Sequence, residues 1–243
     1  MFDREEFEKD KRLKAEAQSQ DVQLRKLALD FVVQSDRYGY GYQWTWLGLP
    51  IIQLPQDIIA TQEIIWAAKP DLIIETGIAW GGSVILYASI LQLLGKGEVV
   101  AIDLNLYDHV AAQIMAYPFS NRVHLYKGSS TDASVVAKVK SHVKPGQTVM
   151  VLLDSNHSHD HVLNELRTYA PLITKGQYLV VSDTVVEDIP VQTHRARPWG
   201  PGNSPGTALK AYLGETDRFE VDRNIGDKLL LTYTPDAYCR CIR

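Results

Sequence analysis

Short apolar segments alternate with amphipathic ones along most of this chain. From Gln56 onward, brief apolar runs, several rich in Val and Ile, are separated by longer stretches whose apolar positions recur with helical spacing. This pattern predicts helices over residues 57–68, 82–94, 110–116, 133–142, 160–169 and 207–213. It predicts strands over residues 72–75, 98–103, 122–126, 148–154, 177–182, 219–221 and 228–233.

Most of the predicted strands are nearly continuous apolar runs. Strands of that kind are buried on both faces, which is typical of a parallel sheet with helices packed above and below it. The last two strands have no predicted helix between them and are expected to pair as an antiparallel hairpin. The pattern therefore predicts an α/β fold with a Rossmann-like, mostly parallel sheet of seven strands, helices on both faces and a C-terminal antiparallel hairpin.

The beginning of the chain does not follow this alternation. Residues 1–36 are rich in Glu, Lys, Gln, Ala and Leu and predict a helix that packs on the core or on a partner subunit. Residues 38–50 are aromatic and glycine-rich, which suits either a lid over a substrate or a brace that pins the arm to the core. We therefore divide the chain into an N-terminal helix and aromatic arm, residues 1–55, and a main domain, residues 56–243, and expect a homo-oligomer.

Charge and composition narrow the expected partners. The 243 residues are 45% hydrophobic and carry a net charge of −4. No cationic field favours nucleic acid or an anionic membrane, so small molecules are the expected partners. The charged N-terminus lacks the apolar segment of a signal peptide, and no apolar run approaches the ~20 residues that cross a bilayer, so a cytoplasmic protein is expected. Cys239 and Cys241 form a poor zinc motif, and a structural or incidental role is favoured for them.

A glycine-rich turn follows the first predicted strand of the main domain. Residues 75–83, Glu-Thr-Gly-Ile-Ala-Trp-Gly-Gly-Ser, lie between that strand and a helix, where glycine lets the backbone approach a ligand. Asp103 ends the next strand, where a carboxylate can accept hydrogen bonds from both ribose hydroxyls. Glu75 would repel the pyrophosphate of a dinucleotide but suits the ammonium and sulfonium groups of S-adenosylmethionine. The motif therefore predicts an S-adenosylmethionine site.

Two further carboxylates end neighbouring predicted strands. Asp154 ends the strand over residues 148–154, and Asp183 follows the next one. Their convergence on one rim of the sheet suits Mg2+, a hard ion that takes oxygen ligands and lowers the pKa of a substrate hydroxyl. His157, three residues after Asp154, is a candidate for the base that removes the hydroxyl proton. The alternative is that the two aspartates cap the following segments and that His157 lies in a solvated turn.

These motifs resemble the cephalosporin hydroxylase / rhamnosyl O-methyltransferase family. The resemblance extends from about Tyr38 to Tyr233 and is carried by residues 53–57, 74–83, 102–103, 153–159, 181–184 and 197–202. It implies a class I methyltransferase fold, with residues 56–243 as the methyltransferase domain, S-adenosylmethionine as cofactor and usually Mg2+. His157 matches the catalytic histidine of similar sugar O-methyltransferases. The residues that would line the cofactor are Glu75, Gly77, Ser83, Asp103, Ser130 near the adenine, and Asp154.

The second metal element departs from the family pattern. The family often has two adjacent acids there, whereas this chain has Ser182-Asp183-Thr184. The resemblance therefore implies Asp154 and Asp183 as metal ligands, with the Thr184 hydroxyl or a water as the third. Glu187 or Asp188 is an alternative third ligand.

Three functions are compatible with these residues. The first is a Mg2+-assisted O-methyltransferase acting on a hydroxyl of a sugar, glycolipid or secondary metabolite, with Trp44, Trp46, Trp199 and the loop 190–205 as candidate substrate contacts. The second is a non-haem iron oxygenase that would use the His157-Ser-His159-Asp160 cluster. The third is a non-catalytic partner protein that keeps the methyltransferase fold. Binding of S-adenosylmethionine and Mg2+ distinguishes the first from the other two.

Overall fold

The computed structural model describes residues 3–243, so the first two residues of the predicted arm lie outside the described part. Its helices are α1 (Arg4–Gln20), α2 (Val22–Asp36), α3 (Pro55–Ala68), α4 (Gly82–Leu94), α5 (Asp108–Met115), α6 (Ala133–Lys140), α7 (His159–Tyr169), α8 (Pro205–Leu213) and α9 (Arg223–Gly226). Short 3-10 helices cover Tyr40–Tyr42, Ser120–Arg122, Ala170–Leu172 and Thr184–Glu187. The strands are β1 (Thr45–Trp46), β2 (Leu49–Pro50), β3 (Leu72–Thr76), β4 (Glu98–Asp103), β5 (Val123–Lys127), β6 (Val149–Leu153), β7 (Tyr178–Val181), β8 (Phe219–Val221) and β9 (Tyr238–Cys241).

Seven of the described strands form one sheet in the order β5-β4-β3-β6-β7-β9-β8. Strands β3 to β7 pair in parallel, and β9 pairs antiparallel with both β7 and β8. The predicted fold class is confirmed. Strand β3 lies between β4 and β6, and chain order runs outward from it on both sides, which marks the point where ligands bind in open α/β sheets.

Helices cover both faces of this sheet because its central strands are apolar on both sides. All residues of β3, β6 and β7 are buried. One face packs against α3, α4 and α5, and the other against α6, α7 and α8. Along β3 the alternation is visible in neighbouring residues, since Ile73 belongs to the first core and Ile74 to the second. The double-sided burial explains the continuous apolar runs in the sequence.

The position of the last strand was predicted wrongly. The antiparallel pair at the C-terminus exists, but its second strand is β9 rather than residues 228–233. In that earlier segment, the Thr232 hydroxyl and the Tyr233 amide donate to the buried carboxylate of Asp57 on α3. This side-chain anchor takes the place of a strand ladder. The segment therefore lies at the start of α3, and the chain joins the sheet only at β9. Cys239 and Cys241 lie on β9 as buried, free thiols that pack in the core.

The N-terminal arm packs on the main domain near the glycine turn. Strands β1 and β2 form a small hairpin against α4, where the Trp46 indole donates to the hydroxyl of Ser89 at 3.1 Å. A Cβ added to Gly82, the first residue of α4, would lie 2.3 Å from the Pro50 carbonyl oxygen. The aromatic stretch thus braces the arm directly over the start of α4. Among residues 3–243, no helix has both the length and the apolar character that crossing a membrane requires.

Candidate active site

A cavity of about 270 Å³ opens at the carboxyl ends of β3, β6 and β7. Its floor is the glycine turn, and its walls come from the end of α2, the 3-10 helix after β7 and the loop 190–205. Of the predicted site residues, the cavity is lined by Gly77, Ser83, Asp154, His157 and Asp183. The parallel topology brings these five together because each follows the carboxyl end of a central strand or begins the helix after it.

The glycine turn approaches strand β6 so closely that a side chain would not fit. Gly77 has a φ of +93°, and a Cβ there would lie 2.0 Å from the carbonyl oxygen of Asp154. Its amide donates to the Ile102 carbonyl, which anchors the turn to β4 as well. Gly81, with a φ of +88°, precedes α4 as its N-cap. The turn is therefore held against both neighbours of β3.

Glu75 lies beneath the turn, fully buried in β3. Burial raises the pKa of its carboxyl group to about 8, and hydrogen bonds from Ser83 and Tyr87 offset this only in part. Its Oε2 has no hydrogen-bond partner among residues 3–243. An unpartnered buried carboxylate oxygen is costly unless a ligand satisfies it, and a cationic or hydrogen-bond-donating ligand would do so.

Asp103 and Ser130 lie on the other side of the turn, outside the cavity lining. Asp103 accepts hydrogen bonds from the amides of Ile78 and Ala79 at 2.8 and 3.0 Å. This carboxylate therefore holds the backbone of the turn in place. Ser130 is buried, and its hydroxyl lies 3.1 Å from Nε2 of His161.

The Ser130 contact continues into a buried network. Nε2 of His161 also lies 3.2 Å from the Ser155 hydroxyl, which donates to Glu165 at 2.7 Å. This network connects the predicted adenine region to the segment that follows Asp154.

His157 lies between the two predicted metal carboxylates. Its Nδ1 is 2.8 Å from Asp183, and its Nε2 is 3.7 Å from Asp154. Burial disfavours the protonated imidazole, but the two carboxylates outweigh this and raise the pKa of His157. Burial, together with Asp183, raises the pKa of Asp154 well above its usual range. The ring of Trp199 stacks on His157 at a centroid distance of 5.0 Å, so the imidazole is fixed in orientation and has acidic neighbours on both sides.

Several candidate residues are not brought into this cluster. The Thr184 hydroxyl donates to the Pro235 carbonyl at 2.8 Å, and Thr184 does not line the cavity, so the geometry does not support it as a metal ligand. Glu187 accepts hydrogen bonds from the Gly202 amide and the Ser204 hydroxyl, and therefore braces the loop 190–205.

The alternative histidine and two of the three tryptophans also point elsewhere. Nδ1 of His159 lies 2.8 Å from the Thr207 hydroxyl on α8, away from His157. Trp44 and Trp46 pack against the core under the arm, and only Trp199 lines the cavity. Of the predicted substrate contacts, Trp199 and the loop 190–205 therefore remain candidates.

The sequence patterns missed one wall of the cavity. Asp36, the last residue of α2, accepts from Arg195 at 2.7 Å and lies 2.8 Å from Nε2 of His194. Arg195 also donates to the Tyr42 hydroxyl at 2.8 Å. These contacts join the N-terminal arm to the loop 190–205 across the cavity mouth. An aspartate in the final turn of a helix, where acids are disfavoured, was the one local signal of this role.

The chain is similar to known proteins over most of its length. The Rhamnosyl O-methyltransferase/CmcI family profile matches residues 38–242. A rhamnosyl O-methyltransferase of Mycobacterium bovis is 30% identical over 198 residues, which cover 80% of this chain and 76% of that protein. The one from Mycobacterium leprae is 31% identical over 176 residues, 70% of this chain and 71% of that protein.

Solved structures show the same fold. An apo structure of CmcI superimposes with a TM-score of 0.60 at 17% identity, covering 83% of this chain and 77% of that one. A structure of CmcI with Mg and SAM gives a TM-score of 0.57 at 16% identity, and the match covers 83% of this chain and 78% of that one. TomG, an O-methyltransferase from Streptomyces achromogenes in complex with SAM, gives 0.52 at 16% identity and covers 79% of each chain.

Proposed function

The chain belongs to the Rhamnosyl O-methyltransferase/CmcI family, and from that premise we propose that it is an S-adenosylmethionine-dependent O-methyltransferase assisted by Mg2+. The observation that carries the proposal is the position of His157, which lies between two carboxylates in a cavity whose floor is the glycine turn. It supports a role for His157 as the proton acceptor, beside the glycine turn at which we propose that the methyl donor binds.

The residues around the turn fit the cofactor. Glu75 offers a buried, unpartnered carboxylate oxygen to a cationic group, and Gly77 lets the turn lie directly against the backbone of Asp154, where a Cβ would not fit. Asp103 ends β4 and offers acceptor oxygens to a ribose. Ser130 follows the next strand, β5, where we expect the adenine. Bound S-adenosylmethionine supplies an electrophilic methyl group. The turn and its acids hold that donor at the carboxyl end of β3.

The cluster beside the turn fits Mg2+ and a hydroxyl acceptor. Two carboxylates, from Asp154 and Asp183, are the oxygen-rich donor set that this hard ion prefers, and Mg2+ lowers the pKa of a hydroxyl that coordinates it. His157 then accepts the proton of that hydroxyl, with Trp199 holding the ring in place. Asp154 and Asp183 stabilise the imidazolium that forms, because both lie next to it.

We propose that the methyl acceptor is a compound with a free hydroxyl group and, within that class, a sugar. The rhamnosyl relatives support this class, and so does the cavity wall, where the Trp199 ring and the polar side chains of Arg195 and Gln192 lie together. The iron oxygenase alternative needs two histidines around one carboxylate, and His159 is turned away toward α8. The non-catalytic alternative would leave the unpartnered buried carboxylate oxygen of Glu75 without a use.

The remaining expectations concern assembly and location. The N-terminal helices expose Leu13, Val22 and Leu27, side chains that a second copy of the chain would cover, which supports a homo-oligomer. A small-molecule partner rather than nucleic acid agrees with the net charge of −4, and a cytoplasmic location stays a prediction from the sequence.

Calorimetry with S-adenosylmethionine tests the cofactor part of the proposal. We expect saturable binding that Asp103→Ala weakens by about tenfold or more, the equivalent of ~1.4 kcal/mol. The matched control is Asp3→Ala, because Asp3 likewise accepts two backbone amides, those of Glu5 and Glu6, but at the start of α1. Equal affinity of the wild type and the Asp103→Ala variant would remove Asp103 from the site. Absence of binding by the wild type would refute the function itself.

Methyl transfer tests the acceptor class. With Mg2+ present, methyl rhamnoside is expected to accept a labelled methyl group from S-adenosylmethionine. Catechol, which has hydroxyl groups but is not a sugar, serves as the comparison. Methyl transfer to catechol alone would support the methyltransferase activity but contradict a sugar as the acceptor.

A further inference from the structure

Three side chains of metal-binding type meet at the amino ends of β4 and β5, the opposite end of the sheet from the cavity. Glu98 begins β4, His124 is the second residue of β5, and His142 follows α6. Nε2 of His124 lies 3.1 Å from a carboxylate oxygen of Glu98, and the two imidazole rings are 4.4 Å apart between centroids. One ligand atom from each of the three residues lies within 4.8 Å of the other two.

The fold holds these side chains on one face of the sheet. His124 is the register partner of Val100, so Glu98, two residues before Val100, projects from the same face as His124. Helix α6 packs on that face and delivers His142 at its end. Tyr126 is the next residue of β5 on this face, and its hydroxyl lies 2.7 Å from Nε2 of His142. Two strands and one helix end therefore converge, with a tyrosine contact that orients one of the imidazoles.

The donor set differs in kind from that of the cavity. The cavity cluster has two carboxylates and one imidazole, whereas this cluster has two imidazoles and one carboxylate. Nitrogen-rich sets of this type prefer borderline ions such as Zn2+, which binds histidine and carboxylate and is satisfied by four ligands. The side chains of His124 and Glu98 are 35% and 44% exposed, so an ion can enter and a water can complete its coordination.

We propose that Glu98, His124 and His142 form a second metal site, which binds Zn2+ or a similar borderline divalent ion with water as a fourth ligand. The ion joins the edge strand β5 to β4 and to the end of α6. Since ligand chemistry separates the two sites, Mg2+ is drawn to the carboxylates of the cavity and Zn2+ to the imidazoles of the sheet edge.

Zinc titration of the full chain by calorimetry tests this site. The titration is done in excess Mg2+ and in a His157→Ala background, so that the imidazole of the cavity cannot contribute. We expect one equivalent of Zn2+ to bind. His142→Ala or Glu98→Gln is expected to weaken its binding by at least about 10- to 100-fold, since loss of a ligand costs no less than loss of a residue that only orients a ligand. His109→Ala is the control, because His109 is an exposed histidine on α5, remote from the cluster.

Thermal unfolding provides the second readout. Zn2+ is expected to raise the unfolding temperature of the His157→Ala protein, and this shift should disappear in the Glu98→Gln variant, which keeps the size of the side chain. No saturable binding in the His157→Ala background would overturn the proposal. So would an equal loss of binding in His109→Ala, or an unchanged affinity in both His142→Ala and Glu98→Gln.

Discussion

The two ends of strand β3 carry carboxylates in opposite electrostatic surroundings. Asp71, immediately before the strand, accepts from the Lys96 ammonium at 2.7 Å and from the amide and hydroxyl of Thr148 at 2.9 and 2.8 Å. Although burial opposes it, these partners lower the pKa of Asp71 to about 2. Glu75, near the other end of the same strand, is buried with an unpartnered oxygen, and burial raises its pKa to about 8.

This difference separates a stabilising end of strand β3 from the end of the same strand at which we propose that the cofactor binds. At the amino end, the carboxylate of Asp71 has its hydrogen-bond partners within the protein. It therefore contributes to the stability of the fold and needs no ligand. At the carboxyl end the protein leaves a buried acid without a complete set of partners, which costs folding free energy that binding of the proposed cofactor would recover. We therefore expect stability to depend on Asp71 and cofactor binding to depend on Glu75.

The largest expected effect tests the binding end. His157→Ala is expected to lower kcat by about 10²–10⁴-fold, because general-base catalysis contributes that much. Affinity for S-adenosylmethionine and the unfolding temperature are expected to stay close to those of the wild type. Turnover at the wild-type rate would exclude His157 as the base, and a large loss of stability would place it among the groups that hold the fold.

Glu75→Gln sharpens the comparison through pH. The raised pKa means that the ligand-free folded state holds a proton that the unfolded state releases, so stability falls as pH rises from about 4.5 to about 8. Glutamine resembles the protonated acid and should abolish this fall, while weakening S-adenosylmethionine binding by about tenfold. Chemical denaturation of the empty protein across this range checks the prediction. An unchanged pH profile in Glu75→Gln would mean that another group causes the fall.

The smallest effect is expected at the stabilising end. Asp71→Asn should cost about 1–2 kcal/mol of unfolding free energy at neutral pH, because the variant loses charge-assisted hydrogen bonds at a partly exposed site. The pKa of Asp71 is lowered in the folded state, so its contribution is present above about pH 3.8 and is lost as pH falls toward about 2. Urea unfolding at pH 7 and pH 2.5 measures this. A fall in kcat with unchanged stability would erase the distinction between the two ends.

The parallel part of the fold was predictable because each of its elements carries its own signal. Strand β4 and helix α4 have the predicted bounds, and Asp154 and Asp183 follow strand ends, where topology alone makes them neighbours. The last strand was not predictable in this way. The apolar run before it follows strand statistics, but its hydroxyl and amide are taken by Asp57, a residue distant in the chain. A local pattern carries no information about such an anchor.

In the candidate site, too, residues with a local sequence signal could be predicted and residues joined only by distant contacts could not. The residues on the turn and the strand ends could be predicted, whereas the wall formed by Asp36 and Arg195 could not, since it joins segments 159 residues apart through side chains alone. For Thr184, the position in the sequence and the local geometry give different indications. Its place next to Asp183 suggested a ligand, but the 3-10 turn that begins there directs its hydroxyl to Pro235.

The close approach of Gly77 to Asp154 has a consequence for the proposed reaction. The backbone of the glycine turn lies directly against the backbone of Asp154, with no side chain between them. If the turn holds the methyl donor and Asp154 faces the acceptor, as we propose, we expect the distance between donor and nucleophile to vary little. Methyl transfer needs its reacting atoms within a narrow distance, and the absence of one methyl group, at Gly77, keeps that tolerance small.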